Sequence, residues 1–206
     1  PGNGQHGDAL GKTRDSIGTE QQYKGLSVFQ LFVYYLISGF SPGRNLITMP
    51  NNQKDLLREA KIKMARFCSY RERAPEEVRQ KLAQYNLSEQ QVEQVMKVLM
   101  EHDFVNERRF ASAYANGKLN INKWGKLKIK QGLEHYKLDP DQIDEALGKL
   151  PDDQYQATMI KHIEKKQHSL KHKDPFVRNQ KLAQFVISKG FEPDLVWRIL
   201  KLRSKT

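Results

Sequence analysis

Three stretches decide how this chain is read: VRQKLAQYNLSEQQVEQVM at 78–96, IKQGLEHYKLDPDQIDEAL at 129–147 and LAQFVISKGFEPDLVWRIL at 182–200. They align at successive offsets of 51 and 53 residues. Val78, Ile129 and Leu182 open the copies, with Leu82, Leu133 and Val186 four residues on. Leu87, Leu138 and Phe191 then coincide, as do Val92, Ile143 and Val196. Agreement of period and chemistry marks an internal repeat.

Each copy reads as a helix, an apolar turn residue, a cap and a second helix. Ser88-Glu89-Gln90-Gln91 is a capping-box pattern, and Asp139-Pro140-Asp141-Gln142 repeats it with Pro at the first helical position. Glu192-Pro193-Asp194 keeps the Pro with a poorer cap. Helices therefore begin at 89, 140 and 193. A further helix precedes each pair, at 54–71, 107–117 and 153–168, where Ala60, Met64 and Phe67, or Phe110, Ala113 and Tyr114, share a face. After residue 50 no alternation of strand length occurs, so the fold class is all-α. The reading is three tandem three-helix repeats, at 51–105, 106–150 and 151–206, in an elongated, curved array, because small cores in series stack only on their neighbours.

Upstream, residues 1–25 are polar and Gly-rich without an apolar period, the composition of a disordered segment. Leu26 to Phe40 is an apolar run shorter than the ~20 residues that span a bilayer. It follows a long polar stretch, unlike a signal-peptide core. Met49 directly precedes the patterned region and is taken as the start of the functional unit, with residues 1–50 disordered or a dispensable extension.

Among 206 residues, 35 Lys and Arg oppose 24 Asp and Glu, a net charge of +11 that points to a polyanionic or acidic partner. The charge is uneven. From Arg108 to Lys130 seven basic residues occur with no acid, and Lys161 to Arg178 holds six basic residues and three His against Glu164 and Asp174. These two runs are the candidate polyanion-facing stretches; the simpler alternative is solvated helix faces. The lone Cys68 admits no intrachain disulfide, which fits a reducing, cytoplasmic setting. Its helical apolar context predicts burial.

Catalytic patterns are lacking: no phosphate-cradling Gly loop, nucleophile elbow or HExxH is present, so no catalytic residue, cofactor or metal is assigned. His162, His168 and His172 come nearest to a metal set, yet lie among lysines without Cys or a placed carboxylate, and read as surface residues. Trp124-Gly125 stands ahead of Lys126, Lys128 and Lys130. With Ile129, Leu133 and Tyr136 facing inward, these lysines fall on the flanks of the helix. Trp124 is either a hydrophobic staple or a stacking platform for bases.

The run from His102 to Leu147 resembles the signature region of the RecX regulatory proteins, with Arg109-Phe110-Ala111, Tyr114, Gly125 and Leu133 at the matching positions. Asn122 to Lys126, and Arg178 to Leu182 followed by Gly190-Phe191-Glu192, look like the variant of the Bacteroidetes branch. The resemblance covers about residues 54–203. It implies three tandem three-helix units and a non-enzymatic modulator, usually an inhibitor, of the RecA recombinase. Such proteins lie along the RecA–DNA filament and limit its growth, ATP turnover and strand exchange in recombination, DNA repair and the SOS response. The implied partner is that filament, with direct DNA contact and a stand-alone nucleic-acid-binding module as the alternative. A monomer without membrane attachment is expected. Charge clustering, separately from the resemblance, selects Arg108, Arg109, Lys123, Trp124, Lys126, Lys128 and Lys130 in the second repeat and Lys165, Lys166, Lys171, Lys173 and Arg178 in the third.

Overall fold

A computed structural model describes residues 52–170 and 174–203, with side chains from 56 onward. The extension at 1–50, its apolar run, Met49, Lys171, His172 and Lys173 lie outside the described residues. Those described belong to one compact unit beginning at Asn51. They are all-α: nine α-helices and one short 3-10 turn, with no strand among them.

The first repeat comprises α1 (Asn52–Tyr70), α2 (Pro75–Leu82) and α3 (Glu89–Glu101); the second α4 (Glu107–Asn120), α5 (Lys126–Glu134) and α6 (Pro140–Gly148); the third α7 (Asp152–Ser169), α8 (Pro175–Ile187) and α9 (Pro193–Arg203). The helix starts at 89, 140 and 193 coincide with the sequence reading. Local chemistry explains why. Ser88 accepts from the Gln91 N–H at 3.3 Å while its own N–H donates to the Gln91 side chain at 2.9 Å, a complete capping box.

The second cap differs from expectation. Asp139 accepts from Asp141 N–H at 2.8 Å, and Gln142 Oε1 is buried without a partner, so the reciprocal half of the box is not made. Pro140 at the first helical position already fixes the entry angle.

The repeat positions form the core. Val78, Leu82, Ile129, Leu133, Leu138, Ile143, Leu182, Val186, Phe191 and Val196 are all buried, whereas Leu87 and Val92 of the first copy are only partly so. Phe110, Ala111, Ala115 and Leu119 of α4 join Tyr155, Met159 and Ile163 of α7 in one apolar cluster that runs from the second repeat into the third. Cys68 is buried in the first repeat, which pushes its thiol up to about 12.

Candidate partner-binding surface

The second and third repeats meet at the start of α5. Gly125 N–H donates to the Lys189 carbonyl and Leu127 N–H to the Gly190 carbonyl, each at 2.9 Å. These donors belong to the cap and first turn of α5, where no intrahelical acceptor exists. The backbones approach so closely that a Cβ on Gly125 would stand 2.2 Å from the Gly190 carbonyl. Gly190 has φ +92°, and a Cβ there would lie 2.3 Å from Cβ of Lys128. Both positions therefore require glycine.

Side chains seal this joint. The Tyr155 hydroxyl accepts from Lys126 N–H at 2.9 Å and donates to the Glu192 carboxylate. Burial and the Glu192 bond hold the Tyr155 phenol well above its ordinary range. His162 donates from Nε2 to the Lys123 carbonyl at 2.8 Å, and its ring packs edgewise on Phe185 and Phe191. His162 is thus a partly exposed residue, as the sequence reading has it, but one that is held against the joint rather than freely solvated. Phe185 and Phe191 shelter the ring because the turn after α8 folds back onto α7. His168 is exposed.

The expected binding residues divide into two groups. Arg109 bridges repeats, donating to Glu72 at 2.9 Å, to the Asp103 carboxylate and to the Asp103 carbonyl at 2.7 Å. Lys126 is only 25% exposed, with its ammonium over the Tyr155 ring and 3.9 Å from Asp152, which makes it part of the joint rather than a solvated flank. Lys130 pairs with Asp144 at 2.8 Å. These three are engaged internally.

Arg108, by contrast, is 72% exposed and only 3.6 Å from Glu145, which Lys149 engages more closely at 2.6 Å. Lys123 and Lys165 are exposed. Lys166 lies over the Phe185 ring, and Arg178 is partly buried on the first turn of α8. Trp124 precedes the N-cap of α5 and packs on the core, with the ammonium groups of Lys118 and Lys128 4.8 and 4.6 Å from its ring. That is the geometry of a staple, with two lysines against the ring.

Two family descriptions fit this architecture: "RecX, second three-helix domain" matches residues 106–147 and "RecX, third three-helix domain" residues 152–200. A Clostridium acetobutylicum protein named regulatory protein RecX is 30% identical over 146 residues, 69% of this chain and 67% of that protein. The chain belongs to the RecX family. Two further RecX relatives show 28% identity over 142 residues, in Clostridioides difficile, and 26% over 176 residues, in Oceanobacillus iheyensis. The chain spans 66% and 64% of those two proteins.

The fold is likewise that of solved RecX structures. The crystal structure of RecX from Lactobacillus salivarius superposes with a TM-score of 0.66 at 22% identity, covering 72% of this chain and 99% of that one. A second, titled regulatory protein RecX, gives 0.65 at 21% identity over 82% and 84% of the two chains. Tandem three-helix repeats and a regulatory role are therefore properties of the RecX family to which this chain belongs. Among the described residues no group of His, Cys, Asp or Glu could hold a metal ion, and no helix is long and apolar enough to cross a membrane.

Proposed function

We propose that this RecX-family chain is a non-catalytic regulator of the RecA recombinase, binding the RecA filament on DNA and lowering its ATP turnover, strand exchange and extension. Membership of a family of regulatory proteins carries this reading, and the basic surface of the second and third repeats supports it. Arg108, Lys123, Lys165, Lys166 and Arg178 supply accessible cations for acids or phosphates of the filament. Lys171 and Lys173 extend the same charged stretch in sequence. Arg109 and Lys126 act mainly by holding neighbouring repeats together, and Lys130 by pairing α5 with α6 inside the second repeat. The proposed partner surface thus rests on a scaffold whose own ion pairs are already made.

The test measures ATP hydrolysis by RecA on single-stranded DNA with increasing amounts of this chain, together with binding to bare DNA across a salt series. Falling hydrolysis and preferential binding to the filament are expected. Equal or tighter binding to bare DNA, with hydrolysis unchanged, would instead identify a stand-alone nucleic-acid-binding module, whose affinity should fall steeply with log salt according to its number of phosphate contacts.

A further inference from the structure

The third repeat contains a cleft that shares Arg178 with the proposed filament surface but is otherwise lined by residues that reading leaves unassigned. Two adjoining hollows, of about 390 and 350 Å³, share Gln167 and Arg203 where α7, α8 and α9 meet. The first is a partly enclosed groove and the second a shallow, open continuation of it. Ile163, Leu182 and Leu200 form the floor, but they are 1%, 2% and 4% exposed, so an occupant meets the polar walls instead. Pro175, Arg178 and Asn179 project from one face of α8, and Gln167 and Arg203 face them.

These walls hold donors in excess. Among the described residues, the side chains of Arg178, Asn179 and Gln167 have no hydrogen-bond or ion-pair partner. Asp174, the acid closest to Arg178 along the chain, instead accepts from Phe176 N–H at 2.8 Å as the cap of α8. Glu164 at the far end is matched by Arg203 at 3.1 Å, and Arg178 makes no direct ion pair, with His168 beside the second hollow. A guanidinium drawn partly out of water favours an anion that restores its hydrogen bonds. Its planar fork fits paired oxygens of phosphate or carboxylate. Two amide groups and a second guanidinium offer more donors than one carboxylate's pair of oxygens can use, whereas a phosphate ester supplies a further oxygen.

We propose that this cleft binds a phosphate ester, either the phosphate of a free nucleotide or one belonging to a single strand of nucleic acid. The proposal does not depend on RecA. Calorimetric titration of the full chain with AMP, and separately with a short single-stranded oligonucleotide lacking terminal phosphates, tests it. At least one probe should bind, and Arg178→Gln should weaken that binding about tenfold or more, with Arg178→Lys restoring part of it. Lys161→Gln removes one exposed charge from α7 and should have little effect. Asn179→Asp keeps the arginine but places a carboxylate opposite the anion, and should also weaken binding. Circular dichroism checks that each variant is folded.

Arg178-dependent binding of AMP, with the oligonucleotide indifferent to the substitution, would identify the free ester as the source. Arg178-dependent oligonucleotide binding, with or without displacement by AMP, would identify the strand. Equal losses for Arg178→Gln and Lys161→Gln would reveal only general charge attraction and overturn the proposal. So would the absence of binding by both probes at millimolar concentration.

Discussion

Gly190 concentrates two constraints in one residue: its φ of +92° is strained for a side chain, and a Cβ would meet Lys128 at 2.3 Å. Gly190→Ala should therefore cost about 2–4 kcal/mol, combining left-handed backbone strain with overpacking, as read by urea denaturation. Tyr155→Phe removes the acceptor of Lys126 N–H and the donor to Glu192. Leaving those groups unpaired should cost about 1–3 kcal/mol by the same measurement. Cys68 gives a pH signature. Its folded thiol lies near 12 because of burial, against an ordinary value of 9.0. Above the ordinary value the unfolded thiol ionises first, so stability contributed by this group is intact below about pH 9 and falls as pH rises toward 12, by up to about 1.4 kcal/mol per pH unit. Cys68→Ala should lower stability at neutral pH but flatten this alkaline decline, as measured by denaturant midpoints from pH 8 to 11.

At the level of elements, Arg109 of α4 ties the second repeat to the loop between α1 and α2 through Glu72, whose Oε2 is buried without another partner. Arg109→Ala should destabilise by about 1–2 kcal/mol, a value discounted because both side chains are about one-third exposed. A double-mutant cycle with Glu72→Gln measures the coupling. Lys126→Ala should cost about 1 kcal/mol through lost packing on Tyr155, while exposed Lys165→Ala should stay within about 0.5 kcal/mol in thermal melts. These elements also delimit what sequence could reveal. Helix starts were legible because Ser88, Pro140 and Pro193 act through bonds and torsions within a turn. The acid-free run from Arg108 to Lys130 suggested a free basic face, yet Glu72, Asp144 and Asp152 approach it from outside that run. A charge count along the chain does not see partners brought in by folding. The contact of Gly125 with Gly190 was hidden for the same reason, although a glycine at each of two helix boundaries, one starting α5 and one following α8, was a usable signal.

Across the whole described molecule, the core that runs through the second and third repeats predicts shared cooperativity. Trp124 lies in the second repeat and Trp197 in the third, so Trp197→Phe and Trp124→Phe leave one fluorescent reporter in each. Both variants should unfold in single transitions whose two reported repeats melt together. Adding Gly190→Ala should separate the two reported midpoints; coincident midpoints in that background would show that the joint does not couple the repeats. The joint is made largely by main-chain atoms, through Gly125, Leu127, Lys189 and Gly190. It consequently divides the chain's mutational freedom. The exposed cations can be exchanged one by one while the spacing between the second and third repeats is inherited unchanged. Apart from the side chains that seal the joint, only the two glycines hold that spacing hostage to a single substitution.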